Sequence, residues 1–384
     1  MTTSTPNLQA TITANNSVYG AWQSVMVRRD YGNAISVFEF SPVEGAYGAS
    51  YVSLQLAPGD AVTITLAGQL ALTGRVTTRS VAYDKSSHQV VIAGRSVTSD
   101  AVDSSIAVKP GNYNGYTFQQ AANAVLAEHN INLIMADAGD AATKTFANLV
   151  VHYGETAAEF ISRMALQRGL YLTDNAQGNL VASRLGQNTS SGATFTEGQN
   201  ILRATAKMDN QGVVGSYSGV AQSPGNDQNW PPRAFSSTAT ATGGLPNLRK
   251  LFIVEHPTNS AADLADRVQH EADISTLPEF TVNITVNGWT NPSGQLWDTQ
   301  QVVSVYSPML FYGGTTTQQL GIQSITFQQD DQNGSTTTLE LKPTRLLSET
   351  ANSGAAAAPA GGTSPFNTNV NTPTPDKPDY TIST

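Results

Sequence analysis

Paired carboxylates are the residues of this sequence whose types and spacing could carry catalysis. Glu155 and Glu159 lie one helical turn apart, and Asp100 and Asp103 lie among serines in a predicted polar loop. Two carboxylates on either side of a glycosidic bond are what glycoside hydrolysis requires. Glu159 is also explained without catalysis, because it completes a capping box with Thr156. A cell-wall glycan hydrolase therefore stands as an alternative function, and no catalytic residue is assigned.

The other residues that could bind a metal or attack a substrate lack the patterns that these roles need. None of the five histidines stands in an H-E-x-x-H pattern, and the chain has no cysteine. Tyr217 occupies the nucleophile position of Gly215–Gly219, a segment that otherwise resembles a nucleophile elbow. Asp330–Gly334 lacks the closing Glu of a calcium loop and is predicted to be a hairpin turn. The sequence therefore predicts no metal site and no cofactor.

The composition predicts a surface that is poor in charge. Only 13% of the 384 residues are charged, and the net charge is -9, whereas ordinary domains carry about 25% charged residues. Either a neutral β-rich surface or extensive permanent protein contacts would explain this, because the cores of interfaces are depleted in charge. The acidic balance argues against stable nucleic-acid binding. No apolar run approaches the roughly 20 residues that span a bilayer, so stable membrane insertion is not expected.

Short strands dominate the elements that must position these residues. Val62–Leu66 alternates apolar and polar residues, as a half-buried strand does, and further strands are predicted in the rest of the segment from Ser24 to Gly94. Two helices with capping boxes follow, after Thr117 and after Thr156, among predicted strands at 131–135, 149–153, 170–173 and 180–183. A third helix is predicted over 260–273, followed by strands up to 341. The chain is therefore predicted to be mainly β with an α+β insertion.

These changes of pattern divide the chain into five parts. We expect a first β-barrel domain over 1–105, an α+β domain over 106–188, and a connecting β segment and loop over 189–245. A second β-barrel-like domain with one helix is expected over 246–347. An Ala/Gly/Pro/Thr-rich tail over 348–384 has a composition that cannot build a core. The two β domains also share an order of strands and turns, since Asp60 precedes the strand at Val62 and Asp298 precedes the strand at Val302. That order suggests two copies of one β design.

The sequence resembles the Mu-like baseplate hub proteins of contractile-tailed bacteriophages up to about Leu347. The segments that carry the resemblance, in chain order, are Trp22–Arg29, Phe38–Phe40, Pro58–Asp60, Val91–Ser96, Asp100, Asp103–Ser105, Tyr153–Thr156 with Phe160–Ile161, Arg168–Gly169, Gly288–Trp289 and Leu296–Trp297. The resemblance implies two related tail-tube-like β-barrel domains per chain and a homotrimer that forms a pseudo-sixfold ring. It also implies a structural role without catalytic residues.

The resemblance further implies the partners and the location of the protein. The expected partners are two more copies of the chain, the tail tube protein, the central spike protein, baseplate wedge proteins and the tape measure protein, with DNA only in transit. The expected location is the baseplate of the virion tail, after assembly in the host cytoplasm. A host-binding adhesin is a third alternative, but the long β-repeats or the coiled coil typical of that class do not occur in the sequence.

Five residues are candidate anchors of the assembly or of the core: Trp22, Asp60, Arg95, Trp289 and Trp297. The last two bracket a short loop between predicted strands. Burial of both rings at the end of a β-barrel core is the favoured interpretation, because aromatic side chains dominate core energetics. The alternative is an interface role, since Trp is enriched among residues that dominate binding energy.

Overall fold

The structure is a computed structural model that describes most of the chain up to residue 343. The described residues are 9–42, 56–83, 88–106, 111–136, 142–168, 170–183, 189–209, 216–222, 234–240, 250–255, 264, 268, 279–299, 301–311 and 316–343. Of the residues that the structure describes, 55% are in strands and 14% are in helices. The predicted mainly β class is therefore confirmed. Residues 223–233 of the expected connecting segment and the whole expected tail over 348–384 lie outside the described residues.

The N-terminal β region has seven strands among its described residues. They are β1 (Ala10–Ala14), β2 (Ser17–Tyr19), β3 (Trp22–Asp30), β4 (Val37–Pro42), β5 (Ala61–Leu66), β6 (Gln69–Tyr83) and β7 (His88–Ser96). The alternation predicted for β5 is present, because Val62, Ile64 and Leu66 are all buried. A two-residue turn joins β5 to β6, and both of its residues, Ala67 and Gly68, have positive φ, as the tight hairpin turns that match strand twist require.

A small α+β region follows with a hydrophobic core of its own. Its helices are α1 (Ser99–Asp103), α2 (Phe118–Leu126) and α3 (Ala157–Arg168), a 3-10 turn covers Ala127–His129, and its strands are β8 (Leu133–Ala136), β9 (Tyr171–Asp174) and β10 (Leu180–Ser183). The strands form a sheet in the order β8-β10-β9. Buried residues of α2 and α3, among them Phe118 and Phe160, form the core over this sheet.

The local signals of this region are partly confirmed. The capping box of Thr117 and Gln120 is present at the start of α2. Two predictions are wrong. The segment 149–153 is not a strand, since Val150 makes a single isolated bridge with Asn112 before the chain turns. The predicted polar loop around Asp100 is instead the short helix α1. Gly169 follows α3 and is of the residue type that commonly ends helices, and it lies outside the described residues.

The C-terminal β region contains the remaining strands. They are β11 (Thr189–Thr196), β12 (Arg203–Asp209), β13 (Ser216–Gln222), β14 (Ala234–Thr240), β15 (Lys250–Glu255), β16 (Glu279–Asn287), β17 (Gln301–Tyr306), β18 (Gln318–Asp330) and β19 (Gly334–Pro343). Strands β14, β13 and β15 form a separate three-stranded sheet. Of the predicted third helix, only Leu264 and Val268 are described, and both are helical and buried. The predicted hairpin turn is confirmed, since β18 and β19 pair across 331–333 and Gly334 has a positive φ.

One sheet, with thirteen strands among the described residues, joins the two β regions. Its order is β12-β16-β19-β18-β3-β4-β7-β6-β5-β1-β2. In addition, β17 pairs with β18, and β11 pairs with β17. A single hydrophobic core lies against this sheet and includes residues of both regions. The predicted barrel closure is not found among the described strands. Closure would require the end strands of each region to pair with each other, but β3 pairs with β18 of the other region instead.

Candidate assembly site

The two β regions repeat one order of paired strands. In the first, the order is β3-β4-β7-β6-β5, and in the second it is β12-β16-β19-β18-β17, with every neighbouring pair antiparallel. The regions differ in their attachments: β1 is antiparallel to β5, whereas β11 is parallel to β17. The three-stranded sheet is inserted between β12 and β16, where the first region has only a short connection.

A β-bulge fixes which residues of the two regions are equivalent. The pairing of β6 with β7 shifts between Val76 and Thr78, and the pairing of β18 with β19 shifts between Ile322 and Ser324. Each shift inserts one extra residue into the longer strand, and such bulges are specific features of a strand rather than defects. Val76 is therefore equivalent to Ile322. Counting along the strands from the bulge makes Val81 equivalent to Phe327.

The burial pattern supports this equivalence. Counting through the pairing of β5 with β6 and of β17 with β18 makes Val62 and Ile64 equivalent to Val303 and Val305. All four side chains are buried. Each region therefore directs the same alternate strand positions into the common core.

The same register makes β3 equivalent to β12 and places an ion pair at the same position in each. Arg28 Nε lies 3.0 Å from Asp30 Oδ1, and Lys207 Nζ lies 2.9 Å from Asp209 Oδ2. Residues two apart on a strand lie on one face, so each pair is a contact along the surface of its strand. An Arg/Lys-x-Asp pattern at the end of both strands is the sequence signal for this repeat.

The two regions meet where β3 pairs with β18. The register of this antiparallel junction places Val27 opposite Phe327 and Arg29 opposite Ile325. Val27, Phe327 and Ile325 are fully buried. Because the junction combines continuous strand pairing with apolar burial, it holds the two regions together as parts of one sheet.

A buried group of polar residues, the polar node, connects the α+β region to both β regions. Its buried members are Arg29, Ser36, Ser96 and Asp174, and the exposed Asp298 contacts Arg29 at its edge. The Asp174 carboxylate accepts hydrogen bonds from the Ser36 backbone N–H at 3.0 Å and from the Ser36 hydroxyl at 2.7 Å. Arg29 Nη2 donates to the Asp174 backbone carbonyl at 3.4 Å, and Arg29 Nη1 lies 3.1 Å from Asp298 Oδ1. One arginine therefore contacts residues from two other parts of the chain.

Burial dominates the electrostatics of the polar node. It raises the pKa of the Asp174 carboxyl above its ordinary value, while the Arg29 charge and the hydrogen bonds from Ser36 and Ser96 oppose the rise. Burial also raises the pKa of the nearby Tyr31 to about 12, against a hydrogen bond with Ser183. Both shifts follow from the cost of placing a charge in a medium of low polarity.

The structure places the three predicted tryptophan anchors in or against the sheet core. Trp289 is fully buried, and its Nε1 donates to the Gln328 carbonyl at 3.1 Å. Trp297 is also buried and lies 5.8 Å from the Phe195 ring, measured between centroids. Trp22 is half-buried and packs edge-on against a core phenylalanine. These positions agree with the favoured interpretation as core residues, and a role in assembly stays a prediction.

The two charged candidates have local contacts. Asp60 closes a turn, because its Oδ2 accepts from the Ala57 backbone N–H at 2.8 Å and from Asn15 Nδ2 at 3.1 Å. Arg95 forms an ion pair with Asp103, which ties the end of β7 to α1. The five candidates therefore do not converge on one site. The sequence interpretation missed the polar node, because no residue pattern links its widely separated members.

Each carboxylate considered for glycan hydrolysis has a structural partner. Glu155 forms a two-fold contact with Arg163, at 2.9 Å and 3.0 Å, and Asp100 lies 3.0 Å from Arg75 Nε. Asp103 pairs with an arginine as described above, and Glu159 accepts from the backbone N–H of Thr156 as a helix cap. The contacts with arginines and backbone donors therefore explain these four carboxylates as parts of the fold.

Neither a metal site nor a membrane-crossing helix is found in the part of the chain that the structure describes. No three or more His, Asp or Glu residues of that part lie close enough to hold an ion. No helix among the same residues combines the length and the apolar character that a bilayer crossing requires.

Two protein families match consecutive parts of the chain. Residues 9–96 match the N-terminal part of the Mu phage baseplate assembly protein GpP-like family, and residues 98–184 match the second domain of the gp44-like baseplate hub proteins. The boundary between the two matches falls between the end of β7 and the start of α1.

Whole-chain relatives agree with these families. The chain is 26% identical to baseplate hub protein gp44 of Escherichia phage Mu over 338 residues, which is 87% of either chain. The fold is that of the 43 kDa tail protein of prophage MuSo2 from Shewanella oneidensis, with a TM-score of 0.75, 24% identity, and coverage of 89% of this chain and 99% of the other. A tail protein from Neisseria meningitidis has a TM-score of 0.72 at 19% identity, with coverage of 88% and 98%. These matches confirm the predicted resemblance to the Mu-like baseplate hub proteins and the predicted location in a phage tail baseplate.

Proposed function

We propose that three copies of this chain form a pseudo-sixfold ring that adapts the hexameric tail tube to the trimeric central spike. The repeated strand order carries the proposal, because two equivalent regions per chain give a trimer six equivalent units. A chain without such a repeat would present only three. The role is structural, and the chain performs no catalysis.

The proposed partners are the other copies of the chain, the tail tube protein, the central spike protein and the baseplate wedge proteins, with the tape measure protein as a further candidate. DNA passes through the ring but is not retained. The net charge of -9 supports transit, since a wall that carries acidic or neutral side chains does not bind phosphates. The low charged content supports large permanent contacts, whose cores are depleted in charge.

The five-part division of the chain stays part of the proposal. The separate core of the α+β region supports a domain near 106–188. The repeated strand order supports two related β domains on either side of it. In this arrangement the β domains form the ring, and the α+β domain lies outside the repeated part.

Mass measurement of the full chain tests the ring. Mass photometry, together with light scattering at micromolar concentration, is expected to show a species of about 122 kDa, which is three chains of 40.5 kDa. Micrographs of that species are expected to show a ring with a central opening. A chain that is only monomeric, with no ring in the micrographs, would contradict the proposal.

The alternative hydrolase is tested separately. Zymography of the full chain against peptidoglycan is expected to show no clearing. Clearing that is lost in Glu155→Gln would support the hydrolase instead. Because Glu155 contacts Arg163, the variant's thermal unfolding must be measured beside the zymogram, so that lost folding is not read as lost catalysis.

A further inference from the structure

The outer edge of β6 has no strand partner along half of its length among the described residues. Strand β6 pairs with β5 only through Gln69–Arg75, whereas it pairs with β7 through Gly74–Tyr83. The backbone from Thr77 onward therefore lacks a described strand on the β5 side. In the equivalent strand β18, the same stretch is where β3 docks, through Ser324–Gln329.

Side chains of β6 are more exposed than their equivalents in β18, as expected if β6 lacks the neighbour that β3 provides for β18. Val81 of β6 is 50% exposed, whereas its equivalent Phe327 of β18 is 0% exposed. The surrounding residues from Thr77 to Ala82 are all exposed. The unpaired N–H and C=O groups of such an edge are a template for pairing with a strand of another chain.

The edge strand β12 shows the complementary feature. Among the described residues β12 pairs with β16 alone, whereas its equivalent β3 pairs with β4 on one side and β18 on the other. Met208 is 66% exposed, whereas its equivalent Arg29 is 8% exposed. Ala206 is also exposed, although its equivalent Val27 is buried. Strand β12 therefore lies as β3 would lie if β18 were removed.

We propose that β12 of one copy pairs antiparallel with the outer edge of β6 of the next copy, in the register of the β3–β18 junction. That register places Ala206 opposite Val81, Met208 opposite Arg79 and Thr205 opposite Ala82. The proposal rests on the proposed ring and specifies its subunit contact. The junction within each chain, between β3 and β18, and the junction between neighbouring copies, between β12 and β6, are then formed by equivalent strands.

A second copy is the occupant for two physical reasons. The two edges that lack a partner among the described strands are different surfaces of one chain, and complementary surfaces of this kind generate head-to-tail rings. Six strands separate β6 from β12 in the sheet order, so the edges of one chain are not adjacent in the sheet. Pairing between copies also removes two exposed edges that would otherwise promote aggregation.

Cysteine crosslinking between two differently substituted chains tests the register. The chain has no cysteine, so Val81→Cys and Ala206→Cys each introduce a unique thiol at an exposed position. Residues directly opposite in an antiparallel pair have Cα atoms about 4.5–5.5 Å apart, within the range of about 4.4–6.8 Å that a disulfide accepts. Mixing the two variants under mild oxidation is expected to give a covalent dimer of about 81 kDa, twice the 40.5 kDa chain.

The matched control replaces Ala206→Cys with Thr205→Cys. Successive strand residues point to opposite faces of a sheet, so this pair is expected to crosslink at least about ten-fold less. Each single variant oxidised alone is expected to stay unlinked, because a head-to-tail contact never brings the same residue of two copies together. Thermal unfolding of each variant within about 3 °C of the parent verifies folding, as exposed substitutions rarely change stability much.

The outcomes separate this contact from the ring itself. A ring of trimer mass without the Val81–Ala206 crosslink overturns the proposed strand pairing and leaves the proposed function standing. Covalent dimers from either single variant also overturn the pairing, since they indicate a symmetric contact between copies. A chain that is only monomeric and gives no crosslink overturns both proposals.

Discussion

Truncation of Asp174 is expected to destabilise the protein far more than truncation of Asp298, although Arg29 contacts both residues. Asp174 is 2% exposed and accepts two hydrogen bonds from Ser36, at 2.7 Å and 3.0 Å. Hydrogen bonds to a charged group contribute about 1.5–3 kcal/mol each. Removal of one partner from a buried charged network costs about 3–5 kcal/mol. Burial also disfavours the Asp174 charge, so we expect Asp174→Ala to lower the free energy of unfolding by about 3 kcal/mol.

Asp298→Ala is the matched control, because its carboxylate contacts the same arginine. The Asp298 side chain is 55% exposed, and ion pairs of exposed groups contribute about 0–1 kcal/mol. We expect a loss of about 0.5 kcal/mol in this variant. Urea unfolding at one protein concentration, followed by the fluorescence of the buried tryptophans, measures both values. Equal losses in the two variants would refute the view that burial of the polar node determines its contribution.

Three more results are expected from the same arrangement. Lowering the pH from about 7 toward the raised pKa of Asp174 should increase the free energy of unfolding of the parent relative to that of Asp174→Asn. The reason is that the folded carboxyl binds a proton more readily than the unfolded one. A difference between the two urea midpoints that does not change with pH would contradict this. Phe327→Ala should lower the free energy of unfolding by about 3–5 kcal/mol, because it truncates a buried side chain. Val81→Ala, at the equivalent exposed position, should lower it by under about 0.5 kcal/mol in the isolated chain. Equal shifts of the melting temperature would argue against the equivalence of the two positions. Trp289→Phe should lower the free energy of unfolding by about 1 kcal/mol more than Trp297→Phe, as measured by chemical denaturation. The Trp289 ring nitrogen donates to a carbonyl, whereas the Trp297 ring nitrogen has no partner among the described residues. The reverse order would count against that assignment.

The confirmed sequence predictions are those that depend on nearby residues. The capping box at Thr117 and the hairpin turn before Gly334 each involve side chains and backbone groups within four positions. The strand predicted over 149–153 is wrong because the segment makes only one isolated bridge, while Leu149 and Val151 are buried in the core of the α+β region. An apolar run predicts that a segment is buried, but it does not predict which elements the segment packs against.

The sequence by itself determined the mainly β class and the family resemblance, and it suggested a repeat of strands and turns. Alternating apolar residues and turn residues act over a few positions, so they can be read without a fold. Only the tertiary structure decided that β3 pairs with β18 in one continuous sheet, and that Arg29 contacts both Asp174 and Asp298. The backbone groups of all strands are chemically alike, so the choice of partner depends on packing between distant segments. For the same reason, the exposed edges of β6 and β12, from which the subunit contact is proposed, became visible only once the internal junction was known.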